Sequence, residues 1–78
     1  MSNKPEKIQI KSAFIRLDAA LKFAGAVETG GEAKMLIQDG VVLVNGETCT
    51  QRTKKLRNGD TVTLEYKSFL IEGTENES

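Results

Sequence analysis

The sequence predicts an α+β fold in which two short helices pack on a small, mainly antiparallel sheet of four to five strands. Apolar residues recur at helical spacing in two neighbouring segments of the first half of the chain. Strand-like runs follow at residues 41–44 and 61–65. Asn-Gly pairs at residues 45–46 and 58–59 provide turn signals. This order indicates helices grouped on one face of the sheet.

The first elements are a short strand and a helix. Ile8 and Ile10 alternate with polar residues, as in a half-buried strand. Asp18 is interpreted as the i,i+4 partner of Lys22, in the favourable order on another face of the first helix, or as a first-turn acid that complements the helix dipole. Gly25 ends this helix. The predicted buried stripe of the helix consists of Leu17, Ala20, Leu21 and Ala24.

The second helix has an explicit start. Thr29 and Glu32 form a capping box, in which a hydroxyl and a carboxylate each accept a hydrogen bond from an otherwise unpaired backbone N–H. The helix is expected from Gly30 to about Asp39, and Gly40 suits the left-handed conformation after it. The predicted buried stripe consists of Ala33, Leu36 and Ile37. Both helices are too short to be stable alone, so they need a sheet to pack against.

The second half of the chain predicts strands. Residues 41–44 are apolar at every position, which indicates a strand covered on both faces or nearly so. Asn45-Gly46 favours a type I′ hairpin turn, because both residues tolerate positive φ, with residues 47–50 as the returning strand. Residues 61–65 alternate strictly, and residues 69–71 could add a last short strand.

The composition leaves little room for catalysis. The 78-residue chain contains no histidine, and a domain of this size buries only about 60% of the surface of its unfolded chain. Its single cysteine, Cys49, is interpreted as a small buried hydrophobe rather than a metal ligand. We find no paired acids, no nucleophile with a base and no Walker motif. We therefore expect no catalytic residues, no metal and no cofactor.

The chain organisation predicts one domain with polar ends. No segment approaches the about 20 apolar residues that a membrane span requires, and no signal-peptide run is present. We expect a cytoplasmic monomer without membrane association. Residues 1–6 are predicted to be a flexible arm, residues 7–71 a single domain, and residues 72–78 a flexible acidic tail. The tail would aid solubility or screen the basic surface from wrong partners.

A basic segment, residues 50–57, is the strongest local charge feature. It holds four cations and no acid, although the whole chain has 11 basic and 11 acidic residues. The cations are Arg52, Lys54, Lys55 and Arg57. Such a cluster can be an ordinary solvated surface. Four cations within six positions repel one another, however, and a phosphate backbone is the obvious polyanion to relieve that repulsion.

The start of the second helix offers a further anion site. Gly30 and Gly31 lie in its first turn, where free N–H groups and the helix dipole attract anions, and Lys34 follows one turn on. Alternatively, Glu32 already occupies this helix end and the glycines only permit close packing against the first helix. Arg16 could extend such a surface or pair with a nearby acid.

Four motifs in this order resemble the S-four-like RNA-binding domain, the module first described in small-subunit ribosomal protein four. The motifs are Arg16-Leu17-Asp18, Thr29-Gly-Gly-Glu-Ala33, Gly40-Val-Val-Leu-Val-Asn-Gly46 and Asn58-Gly-Asp-Thr-Val62. The resemblance covers the chain from about Arg16 to Glu65. The Gly-Gly pair followed by Ala-Lys is similar to the small standalone bacterial members of the YbcJ/YaaA type.

The resemblance implies an αL-type fold in which the two helices and the hairpin form one RNA-facing surface. The usual arginine of the family is Gly30 in this chain, which leaves Lys34 as its substitute. The RNA-binding residues that the motifs and the basic segment predict are Arg16, Thr29, Gly30, Gly31, Lys34, Asn45, Arg52, Lys54, Lys55 and Arg57.

The implied function is binding of structured RNA, with ribosomal RNA as the first expectation, through phosphate and shape contacts. The one tyrosine and three phenylalanines are expected in the core or in strands, which disfavours a stacking platform for single strands. The alternative is a protein-interaction or ribosome-assembly adaptor that uses the same basic surface against an acidic partner.

Overall fold

The computed structural model describes residues 5–65 and 67–73 of the chain. Within these residues, two short strands are followed by two helices and then by five more strands. The elements are β1 (Glu6–Gln9), β2 (Ile15–Arg16), α1 (Leu17–Phe23), α2 (Gly30–Gln38), β3 (Val42–Val44), β4 (Glu47–Thr48), β5 (Lys55–Leu56), β6 (Thr61–Leu64) and β7 (Lys67–Glu72). No helix among the described residues has the length and apolar character to cross a membrane.

The strands form a sheet of five and a separate pair. The larger sheet has the order β1-β7-β6-β3-β4, in which β1 runs parallel to β7 and every other neighbouring pair is antiparallel. β2 and β5 pair only with each other, in antiparallel orientation. The α+β class and the mainly antiparallel sheet are therefore confirmed. The β2–β5 pair was not predicted.

One apolar core joins the helices to the sheet. α1 contributes Leu17, Ala20 and Leu21, and α2 contributes Ala33 and Ile37, all without exposed surface. The remaining predicted stripe residues, Ala24 and Leu36, are half-buried at the edge of this core. The fully buried residues contributed by the strands are Val42, Leu56, Val62, Phe69 and Ile71.

The helix ends follow the predicted signals. The hydroxyl of Thr29 accepts a hydrogen bond from the Glu32 N–H at 3.1 Å. The Glu32 carboxylate accepts one from the N–H of Glu28 at 3.0 Å, one residue before the cap. Gly25 and Gly40 follow the two helices at φ of 78° and 79°, in the left-handed region that glycine adopts without strain. The Thr29 half of the predicted capping box is thus confirmed, whereas Glu32 binds the N–H before the N-cap instead of that of Thr29.

The hairpin turn is also as predicted, but its first strand is not covered on both faces. Asn45 and Gly46 both have positive φ, at 52° and 86°, between β3 and β4. Val41 lies outside β3 and is 39% exposed, and Leu43 is only half-buried. The reason is that β3 turns alternate residues to the core, whereas the other face of the sheet meets solvent. β4 ends at Thr48 rather than at residue 50, because only two residues pair with β3.

The aromatic residues correct a second expectation. Phe69 is fully buried, but Phe14 is 38% and Phe23 is 61% exposed, so these two are not core residues. Tyr66 lies outside the described residues, as do residues 1–4 and 74–78, on which most of the predicted arm and acidic tail fall. The described strands extend from Glu6 in β1 to Glu72 in β7.

Candidate nucleic-acid interface

The backbone of the basic segment is fastened to the start of α1. In the β2–β5 pair, Arg16 lies opposite Lys55. The Leu17 N–H donates to the Lys54 carbonyl at 2.9 Å, and the Asp18 N–H donates to the Arg52 carbonyl at 3.1 Å. The first N–H groups of a helix have no partner within the helix, so the basic segment provides one for two of them. These backbone contacts hold residues 52–56 of the segment beside the start of α1.

Asp18 links two arginines of this region. Its carboxylate accepts two hydrogen bonds from the Arg16 guanidinium, at 3.2 Å from Nε and 2.7 Å from Nη2. Arg52 Nη1 lies 4.0 Å from the same carboxylate. The Asp18 side chain is only 13% exposed, whereas both arginine side chains are about half exposed, at 49% and 48%. The predicted Asp18–Lys22 pair is therefore wrong, because Arg16 and Arg52 approach this acid instead. Arg16 both pairs with an acid and stays open to solvent.

A shallow depression of about 240 Å³ lies between α1 and the start of α2. Arg16, Asp18, Ala19, Lys22 and Gly30 line it. A side chain at Gly30 would have open space, since a Cβ built there meets nothing within 4 Å. Close packing against α1 thus does not explain this glycine. The structure therefore brings Gly30 next to Arg16, although the two residues are far apart in the sequence.

The other predicted site residues at the start of α2 either cap the helix or are exposed to solvent. The Thr29 hydroxyl is occupied by the Glu32 N–H. Gly31 and Lys34 are exposed, and a Cβ at Gly31 would only touch the Thr29 hydroxyl at 4.0 Å. Thr29 consequently acts as a cap, while Gly31 and Lys34 remain accessible.

Asn45 lies in a different group, in the turn between β3 and β4, and its side chain reaches the start of β6. Its side-chain amide donates to Asp60 at 3.1 Å, and its side-chain oxygen accepts from the Thr61 N–H at 2.9 Å. The other Asp60 carboxylate oxygen accepts from the Arg57 N–H at 2.8 Å. The structure therefore brings Asn45 together with Arg57 through Asp60. The side-chain hydrogen bonds of Asn45 serve the fold.

Most cations near α1 have no ion-pair partner in the part of the chain that the structure describes. In residues 5–65 and 67–73, ion pairs within 4.0 Å involve only Lys7, Arg16 and Arg52 among the basic residues. The Lys55 ammonium instead lies 4.8 Å from the ring centre of Phe14, in a cation–π contact. We call Arg16, Lys22, Gly30, Arg52, Lys54 and Lys55 the basic surface. Two further cations were predicted as site residues: Lys34, one helical turn after Gly30, and Arg57, two residues after Lys55.

Sequence reasoning missed two features of this region. Lys22 lines the depression beside Gly30 rather than pairing with Asp18. Phe23 is an exposed neighbour of Lys22, and its position outside the α1 stripe was the available signal. The described residues contain no group of three or more His, Cys, Asp or Glu side chains that could hold a metal ion.

Comparison with known families decides the class of the domain. The sequence model of the S4 domain family matches residues 8–72, a range that begins within β1 and ends with β7. The chain belongs to the S4 domain family. The S4 domain is an RNA-binding domain, so the resemblance that the four motifs carried is confirmed.

A curated relative has nearly the same length as this S4 domain. The chain is 40% identical over 65 residues to the "Probable ribosome maturation protein RlbA" of Bacillus subtilis (strain 168). The aligned region covers 82% of this chain and 92% of the relative. The similarity therefore extends over almost the whole relative, which is also a small protein.

Proposed function

We propose that this protein is a non-catalytic RNA-binding protein that recognises structured RNA, with ribosomal RNA as its target, through phosphate and shape contacts. It acts in the cytoplasm as a monomer, and its helices and hairpin form the αL arrangement of the family. Residues 7–71 form its single domain, with residues 1–6 as an arm and residues 72–78 as an acidic tail.

The observation that carries this proposal is the fixed position of the basic segment. Its carbonyl groups at residues 52 and 54 bind the first N–H groups of α1 at 3.1 and 2.9 Å. Several cations are thereby held on one face before any ligand arrives, so binding loses less conformational entropy than it would from a mobile loop. Phosphates relieve the mutual repulsion of these cations.

The predicted site residues have different roles in this proposal. Arg16, Arg52, Lys54, Lys55 and Arg57 contact phosphates, and Lys34 does so from the first turns of α2. Gly30 and Gly31 let the RNA backbone approach α2 closely, because Gly30 leaves open space. Thr29 and Asn45 position these elements through their own hydrogen bonds.

Ribosomal RNA is proposed because the Bacillus relative is named a probable ribosome maturation protein. The same name favours a second candidate, an adaptor that binds an acidic protein of an assembling ribosome with the same surface. RNA is preferred because the chain belongs to an RNA-binding family.

The proposal is tested by the salt dependence of binding to a hairpin from ribosomal RNA, followed by fluorescence anisotropy. With about four phosphate contacts, the logarithm of the association constant should fall by about 3 to 4 per tenfold increase in salt, if RNA behaves like the known duplex and single-strand cases. Lack of measurable binding to structured RNA at low salt would contradict the proposal and favour the adaptor.

Charge reversal locates the binding surface. Lys54→Glu should weaken binding by about 1 to 2 kcal/mol and make the salt slope shallower by about one, because one phosphate contact is lost. Lys67→Glu is the matched control, since Lys67 pairs with Leu64 at the far end of β6 from the basic segment. Equal weakening by both variants would mean that net charge, not this surface, determines the affinity.

A further inference from the structure

Phe23 is the largest apolar side chain that the helices leave in solvent. Its side chain lies at the last position of α1 and is 61% exposed, although Leu17, Ala20 and Leu21 of the same helix are fully buried. A single exposed apolar residue needs no explanation by itself. The surroundings of Phe23 are what make it informative.

Two open depressions share Phe23 and Ile15 as walls. One has a volume of about 320 Å³ and is completed by residues 9–12, which include Lys11. The other has a volume of about 380 Å³ and is completed by Ala19 and Lys22. Both volumes are at the lower end of the range of about 300 to 1,000 Å³ typical of small-ligand sites. Each depression thus combines the aromatic ring with a cation, and none of the acids among the described residues lines either one.

These depressions continue into the basic surface. Ala19 and Lys22 line the second depression and also the one between α1 and α2 that contains Arg16 and Gly30. Lys11 and Lys22 have no carboxylate within 4.0 Å among residues 5–65 and 67–73. A polyanion bound along the basic surface would therefore pass Phe23 at one edge.

We propose that Phe23 stacks on an unpaired nucleobase of the bound RNA while Lys11 and Lys22 contact the phosphates on either side of that nucleotide. The inference rests on the proposed function and narrows its substrate to structured RNA with a bulged or looped-out base beside a duplex. In an A-form duplex the bases are stacked inside the helix, so a ring at the side of the duplex can meet the face of a base only where that base is extruded from the stack. Aromatic rings and bases stack favourably through their π faces.

Charge complementarity selects a nucleotide rather than an apolar side chain of a protein partner. Within residues 5–65 and 67–73, the walls around Phe23 hold two cations and no acid, which matches a base flanked by phosphates. The ring also stands beside the surface proposed for the duplex. A base extruded from that duplex would therefore reach Phe23 without a second binding site.

The test uses two RNA hairpins that differ only by one bulged 2-aminopurine. The wild-type protein should bind the bulged hairpin more tightly and change the fluorescence of the 2-aminopurine on binding. Phe23→Leu keeps an apolar side chain but removes the π face, so it should weaken binding of the bulged hairpin about five- to fiftyfold. Its affinity for the hairpin without the bulge should be unchanged. Phe23→Tyr, which keeps the ring, should retain the preference.

Met35→Leu is the matched control, because Met35 is 63% exposed on α2. It should leave the preference for the bulged hairpin unchanged. Thermal unfolding of each variant checks the fold, which an exposed residue should barely affect.

The outcomes separate the inference from the proposed function. If wild type and Phe23→Leu bind both hairpins equally well, the inference is overturned and RNA binding stands. If the wild-type protein binds neither hairpin at low salt, the inference about Phe23 and the proposed function are both wrong. Loss of the preference in Phe23→Leu together with its retention in Phe23→Tyr establishes the stacking contact.

Discussion

At the scale of single residues, Asp18 is an acid in the middle of a basic surface. Its carboxylate receives a two-point contact from Arg16 and lies 4.0 Å from Arg52, while its own N–H binds the Arg52 carbonyl. One acid therefore orients one guanidinium and reduces the repulsion between two. A lysine one turn along the same helix was the expected partner, but helical spacing reveals neither Arg16, which precedes the helix, nor Arg52, which belongs to the basic segment.

We expect Asp18→Asn to lower the free energy of unfolding by about 1 kcal/mol, because a mostly buried carboxylate loses its charge-assisted contacts to a half-exposed arginine. Lys22→Ala should change it by less than about 0.5 kcal/mol, since the structure shows no ion pair within 4.0 Å between Lys22 and Asp18. Urea unfolding measures both. A larger loss for Lys22→Ala than for Asp18→Asn would contradict the observed pairing.

At the scale of elements, the Asn45-Gly46 turn stabilises the start of β6 through hydrogen bonds. The side chain of Asn45 bridges the hairpin to Asp60 and to the Thr61 N–H, at the start of β6. The resemblance placed Asn45 among the RNA contacts. Its hydrogen bonds offer a structural reason for an asparagine at this position, in addition to its tolerance of positive φ.

Asn45→Ala should lower the free energy of unfolding by about 1 to 2 kcal/mol, because it loses two hydrogen bonds and places alanine at positive φ. Asn45→Gly keeps the backbone conformation at low cost and isolates the loss of the hydrogen bonds. Thermal unfolding compares the two, and anisotropy compares their RNA affinities. A strong loss of affinity in stably folded Asn45→Gly would show that Asn45 contacts RNA directly.

At the start of α2, a substitution should strengthen RNA binding instead of weakening it. Gly30→Arg introduces the arginine that the resemblance to the family implied for this position, and open space around Gly30 accepts a side chain. The variant should bind RNA about three- to tenfold more tightly and steepen the salt slope by about 0.7 to 0.9, as expected for one added phosphate contact. Gly30→Ala provides the control for helix propensity alone. An arginine without effect would place the RNA away from α2.

The elements also show what the sequence could and could not predict. Local signals such as the Thr29 cap and the Asn45-Gly46 turn predicted α2 and the β3–β4 hairpin, because their causes lie within a few residues. The β2–β5 pair joins two-residue strands about 40 positions apart, so neither strand carries a pattern of its own. That pair is what places the basic segment beside α1. The sequence therefore identified the cations but not their arrangement.

At the scale of the whole molecule, the same core residue supports both the fold and the surface. Leu56 is fully buried and belongs to β5, directly after Lys55. The β2–β5 pair thus exposes Lys55 to solvent and places Leu56 in the core. In a small domain with one core, this arrangement couples the stability of the surface to that of the entire fold.

Leu56→Ala should lower the free energy of unfolding by about 2 to 5 kcal/mol, because it leaves a cavity in the core. This is a large part of the about 5 to 15 kcal/mol available to a typical domain. Val62→Ala, at an equally buried position on β6, is the control for a cavity away from β2–β5. Hydrogen exchange should show the N–H groups of Leu17 and Asp18 less protected in Leu56→Ala than in Val62→Ala. Equal protection in the two variants would mean that the basic segment stays fastened without Leu56.

An NMR titration of the protein with a hairpin from ribosomal RNA, read through backbone amide chemical shifts, tests the proposed RNA-binding surface most directly. We expect the largest changes on α1, the start of α2 and residues 52–57, and we expect them to weaken as salt rises. Changes concentrated on β1 and β7, or no changes at low salt, would contradict the proposal that this surface binds RNA.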